Sequence, residues 1–130
     1  MHATNGVIAN GPGPLNLVYR CQQEEQGLIG ASIACTGLKA RYGLTSLNPN
    51  PYYQRSLLNF TERYKADILF VQGLEDSPIQ MYSWPTFKQN VAACTNCRER
   101  IFLELPNLGH TAIFESSTAK SAFNNFIQLR

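Results

Sequence analysis

Two polar residues stand just behind apolar runs in the second half of the chain. Asp76 closes Gly73-Leu74-Glu75-Asp76, which follows the run ADILFV at Ala66 to Val71. His110 closes Pro106-Asn107-Leu108-Gly109-His110, which follows IFLEL at Ile101 to Leu105. A carboxylate held against an imidazole keeps the ring in one tautomer and stabilises its charged form. The ring can then take a proton from a nucleophile. Glu75 is the neighbouring alternative acid. Taken singly, an aspartate in a turn more often caps its own loop, and a lone histidine is more often a satisfied polar residue. The order, acid then histidine behind consecutive strands, is what points to chemistry.

The cysteines offer less. There are four, Cys21, Cys35, Cys94 and Cys97, and the last two have CxxC spacing. A zinc site needs about four ligands, and the chain has no second CxxC and no HxxxH. A reactive thiol wants a helix N-terminus, where the dipole favours thiolate. The Cys94–Cys97 pair follows a helical stretch and so lies at the opposite end. Its remaining readings are a short loop disulfide or two reduced thiols. Neither a metal nor a cofactor is expected.

Composition narrows the classes further. A chain of 130 residues, 44% apolar and 15% charged, has the make-up of one globular domain. The net charge of +2 comes from scattered basic residues, with Arg98 and Arg100 the nearest approach to a cluster. A nucleic-acid footprint needs a denser basic face, so no nucleic-acid partner is expected. No apolar run reaches the length of a membrane span. The start, MHATNGVIANGPGP, shows no charged region followed by an apolar one, and so no secretory signal. The compartment is left open.

The elements that must position Asp76 and His110 follow from periodicity. ADILFV, ending at Gly73, is unalternating and predicts a strand buried on both faces, the habit of parallel sheets. A turn-rich loop, Leu74 to Pro78, comes next. A helix is expected from near Pro85, with Trp84, Phe87, Val91 and Cys94 at helical spacing. Ile101 to Leu105 predicts a second buried strand. Glu115 to Leu129 predicts the clearest helix, with Ala119, Ala122, Phe123, Phe126 and Ile127 in one stripe and Ser116 or Ser117 as cap. Such alternation implies a parallel sheet with helices on its faces. Upstream, GVIAN at Gly6 to Asn10 is a candidate short strand ended by Gly11–Pro14. Leu15 to Gln26 is a candidate helix, Leu44 to Tyr53 a loop, and Ser56 to Tyr64 a candidate short helix.

The pattern strand–GxxDxP–helix–strand–xLPNxGH–helix resembles the C-terminal part of an α/β-hydrolase, most closely the catalytic domain of the prolyl oligopeptidase type and related esterases. Tyr52-Tyr53-Gln54-Arg55-Ser56 is similar to the YxxxSP stretch before the acid strand there, with Leu57 in place of proline. GVIANGPGP resembles the strand and loop after the nucleophile helix. The resemblance is strong from Asn50 to Ile127 and weaker before. It implies an α/β chain with a partial α/β-hydrolase fold, two to three parallel strands flanked by helices. It implies Asp76 as triad acid and His110 as general base.

The family's nucleophile lies in GxSxG on a strand-to-helix turn, and this string is absent. The nearest is Gly30-Ala31-Ser32-Ile33-Ala34, which makes Ser32 the candidate nucleophile, although the polar residues before it leave only Leu28-Ile29 as a strand. The prolines of Gly11-Pro12-Gly13-Pro14 lack the N–H donors that an oxyanion hole uses. The expectation is therefore a single, truncated C-terminal hydrolase domain over residues 1–130. It would supply the acid and histidine of a Ser-Asp-His triad for a peptidase or esterase and be inactive alone. A peptide or ester substrate would be met only when a nucleophile-bearing half completes it. The alternatives are a non-catalytic interaction fragment of hydrolase ancestry, or a miniature esterase using Ser32. An exposed sheet edge would invite self-association.

Overall fold

Ile68 to Gly73 are buried without a break, because they run through the middle of a sheet. In the computed structural model, which describes residues 5–130, this strand is β2 (Asp67–Gly73). It lies between β1 (Gly6–Asn10) and β3 (Arg100–Leu105) in the order β1-β2-β3, and both pairings are parallel. Ile8 stands opposite Leu69, Val71 opposite Leu103 and Gly73 opposite Leu105. The chain divides into two compact units: residues 5–12 with 61–130, which carry the sheet, and residues 13–60.

Alternation along β2 sends successive side chains to opposite faces. Leu69 and Val71 join Leu105, Ile113, Ala119 and Phe126 in one core cluster. This is the face covered by α5 (Ser117–Gln128), whose start is capped by Ser116 accepting from the Ala119 N–H. Phe70 points the other way. It stacks on Phe102 of β3 with ring centroids 5.3 Å apart and meets Phe87 edge-on at 5.6 Å. Phe87 belongs to α4 (Pro78–Ala92), which buries Trp84, Phe87 and Val91. The Trp84 indole N–H donates to Glu104 Oε2 at 2.9 Å, and Lys88 Nζ lies 2.6 Å from Glu104 Oε1. Those two bonds, Lys88 foremost, hold the Glu104 carboxyl below its ordinary range. A small parallel sheet with helices on its faces is thus the arrangement, of the α/β kind that the periodicity predicts.

Several elements differ from expectation, among them a helix over Ile33–Tyr42 that no pattern had marked and a helical turn at Asn50–Tyr53 inside the stretch expected as a loop. α4 begins at Pro78, seven residues before Pro85, because Ser77 accepts from the Gln80 N–H and a proline fits the first turn. Pro85 then lies inside the helix. It occupies an exposed position there and donates no backbone bond. Ile101 to Leu105 are an edge strand, with Ile101 exposed and only Leu105 fully buried. The stretch from Ser56 to Tyr64 is irregular apart from a 3-10 turn at Leu57–Asn59.

The second unit holds α1 (Leu17–Glu25), α2 (Ile33–Tyr42) and the single turn α3 (Asn50–Tyr53). Its core is Leu17, Cys21, Cys35 and Tyr52. Tyr52 is fully buried and its hydroxyl donates to the Gly43 carbonyl at 2.6 Å. Ser56 Oγ accepts from the Leu17 N–H and donates to the Tyr52 carbonyl, each at 2.8 Å. The Tyr52–Ser56 motif therefore ties this unit together. Cys21 and Cys35 form a disulfide across 14 residues, and Cys94 and Cys97 form the other.

A core this small leans on its cross-link. Cys21→Ala with Cys35→Ala is expected to lower the stability of this unit by about 3 kcal/mol, from the loop closed in the unfolded chain. Hydrogen exchange of the amides in α1 and α2 measures it. Unchanged protection there would show that the helices pack without the bond.

Candidate active site

The carboxyl ends of β2 and β3 are laced together by backbone hydrogen bonds. The Leu74 N–H donates to the Leu105 carbonyl and the Glu75 N–H to the Leu108 carbonyl, each at 2.9 Å. The loop after β3 crosses directly over Gly73. A Cβ there would run into the Leu108 carbonyl oxygen and lie 2.7 Å from the Gly109 oxygen. Glycine is thus a steric requirement of the crossing. Asn107 turns the same loop with φ +66°, a conformation asparagine tolerates better than most residues.

This crossing brings His110 to Asp76. His110 Nδ1 and Asp76 Oδ2 are 2.9 Å apart. The Asp76 side chain is 6% exposed and that of His110 is 59% exposed. Asp76 has further donors: Gln72 Nε2 at 2.9 Å on Oδ2 and the Ser77 N–H at 2.7 Å on Oδ1. Burial works against charge on Asp76. The bonds from His110, Gln72 and Ser77 together outweigh it and hold the carboxyl below its ordinary range. An ionised carboxylate only accepts, so Nδ1 carries the proton. In the neutral ring Nε2 is then the free basic nitrogen.

Gly11 closes the other side of the ring. A Cβ on it would lie 2.6 Å from His110 Cε1 and 2.7 Å from Nδ1, and its φ is +52°. Its N–H donates to the Val71 carbonyl at 2.7 Å, extending the β1–β2 pairing. The loop after β1 thereby limits where the imidazole can go.

Of the residues singled out from sequence, Asp76 and His110 meet. Glu75 is exposed and contributes its backbone N–H to the loop lacing. Ser32 belongs to the other unit, where it caps α2: its Oγ accepts from the Cys35 N–H at 3.1 Å, and its own N–H donates to Glu24 Oε1 at 2.7 Å. Leu28 and Ile29 form no strand, so the expected strand before Ser32 is absent and the elbow turn of a hydrolase nucleophile is not formed there. The contributions of Gly11 and Gln72 are additions. Gln72 had a signal in the sequence, a polar residue closing the otherwise apolar run ILFVQG.

Among the described residues, no helix is long and apolar enough to cross a membrane. No family model matches the chain, and no curated protein or solved structure matches it.

The lowered Asp76 carboxyl links the site to stability. Its contribution is fully present above the ordinary value of 3.8 and is lost as pH falls through the lower folded-state value. Asp76→Asn is expected to cost about 1 kcal/mol near neutrality and nothing once the native aspartate is itself protonated. Urea unfolding followed by Trp84, the sole tryptophan, measures the gap. A difference that persists undiminished in strong acid would show that Asp76 acts through shape alone.

Proposed function

We propose that this chain supplies the acid and the general base of a serine hydrolase acting on esters or peptides, with the nucleophilic serine contributed from outside the residues described. The observation that carries the reading is the 2.9 Å bond between Asp76 Oδ2 and His110 Nδ1, formed behind neighbouring parallel strands. In the reaction, Nε2 of His110 takes the serine proton as the hydroxyl oxygen attacks the acyl carbon, and later returns it to the leaving group. Asp76 stays ionised and stabilises the imidazolium. Gly11 and the loop over Gly73 keep the ring in place. The order of strands, with the acid strand beside the histidine strand, supports the reading, as do the hydrolase-like motifs around them.

Ser32 as the nucleophile of a miniature esterase finds less support, because its hydroxyl is engaged as a helix cap. The interaction-fragment reading is favoured by one observation: among the described residues, the outer edges of β1 and β3 are unpaired. Open edges of this kind can add a strand from another chain.

One experiment separates the three. The chain is treated with a fluorophosphonate probe alone, and again within any longer product that the DNA upstream of Met1 encodes in frame. Labelling is expected only in the longer product, at a serine other than Ser32. His110→Ala should slow the labelling at least about a thousandfold. Labelling of the chain alone, lost in Ser32→Ala, would establish the miniature esterase instead. An unlabelled, well-folded longer product would leave only the interaction role.

A further inference from the structure

Gln72 is the one strongly polar side chain buried on β2, with no solvent exposure at all. A buried amide is costly unless every donor and acceptor is met, and here each is. Gln72 Nε2 donates to the Gly73 carbonyl and to Asp76 Oδ2, both at 2.9 Å. Gln72 Oε1 accepts from Gln80 Nε2 at 2.9 Å. The second Gln80 N–H donates to the Pro12 carbonyl at 2.8 Å. The chain of bonds therefore runs from the loop after β1, through α4 and β2, to the oxygen that holds His110.

The direction of that chain is forced. The Pro12 carbonyl only accepts, so Gln80 must present its amide nitrogen to it. The same nitrogen then faces Gln72 and demands an oxygen there. Gln72 consequently turns its own nitrogen toward Asp76. An N–H aimed at a carboxylate favours the ionised form and restrains its rotation about the Cβ–Cγ bond. Oδ2 thus receives two donors, one from β2 and one from the imidazole, while Oδ1 receives the Ser77 N–H. An apolar residue at position 72 would have no N–H to offer Asp76 and no oxygen to accept from Gln80.

We propose that Gln72, aimed by Gln80, is a positioning residue that keeps Asp76 ionised and directed at His110 Nδ1. This rests on the reading of His110 as a base, yet its test needs no turnover. The whole chain, labelled with 13C and 15N, is titrated by NMR. The Asp76 carboxyl signal reports its ionisation, and the His110 ring nitrogens report the tautomer. In Gln72→Leu the Asp76 midpoint is expected to rise by about one pH unit. The neutral ring is expected to shift from the Nδ1–H tautomer toward the Nε2–H tautomer. Gln80→Ala, which keeps the Gln72 side chain and removes only the donor to its Oε1 and the bond to the Pro12 carbonyl, should move both readouts the same way by a smaller amount. A purely structural role would change unfolding, seen at Trp84, and move neither. Unless both readouts shift, in Gln72→Leu or, should that variant not fold, in Gln80→Ala, the proposal is wrong. Failure of the fluorophosphonate experiment would leave this result standing, and failure here would leave the triad reading standing.

Discussion

The passage of one backbone over another at Gly73 is the constraint on which the site depends. The loop that follows β3 has to cross the end of β2 so closely that a Cβ would strike two carbonyl oxygens. Only because position 73 has no side chain do the Glu75 N–H and the Leu108 carbonyl meet. That tie, with the Leu74 N–H on the Leu105 carbonyl, joins the loop after β2 to the end of β3 and the loop behind it. Parallel pairing carries the same consequence outward, since it brings the carboxyl ends of β2 and β3 to one end of the sheet. Asp76 and His110 lie 34 positions apart in the chain and yet meet, because each leaves its strand on that side.

The surroundings of the pair are built to favour one charge state. Asp76 is nearly buried, which alone would discourage ionisation, and it is ionised because three donors converge on it. His110 is largely exposed and, among the described residues, is held through Nδ1 by Asp76. The pair is thus asymmetric, a nearly buried acid behind an exposed imidazole. Gly11 bounds the ring from the β1 side. All of these groups belong to the unit that carries the sheet. The helical unit has a separate economy, with a disulfide, a buried tyrosine and a serine that bridges backbone groups.

Much of the sheet unit was legible beforehand. Apolar runs without alternation marked β2, and the Ala119–Phe126 stripe behind Ser116 marked α5. GVIAN marked β1. The failures have identifiable causes. Pro85 reads as a helix start because proline is tolerated in a first turn, yet Ser77-Pro78 is the stronger signal and Pro85 is simply endured on an exposed face. β3 has the composition of a buried strand but lies at an edge, and no local pattern records which strand is central. The pairing of Cys21 with Cys35 could not be read from spacing, since it depends on how two helices pack.

By itself the sequence determined where apolar runs, caps and breakers fall, and hence the strands β1, β2 and β3 and the helix α5. It also placed an acid and a histidine immediately behind two of those strands. These are local properties, set by side-chain volume, polarity and backbone freedom within a few residues. Only the tertiary structure decided that Asp76 and not Glu75 faces the imidazole, that Gln72 and Gln80 stand behind it, and that Ser32 is occupied as a helix cap. Each of those outcomes turns on distances between segments remote in the chain, and such distances exist only once the sheet has formed.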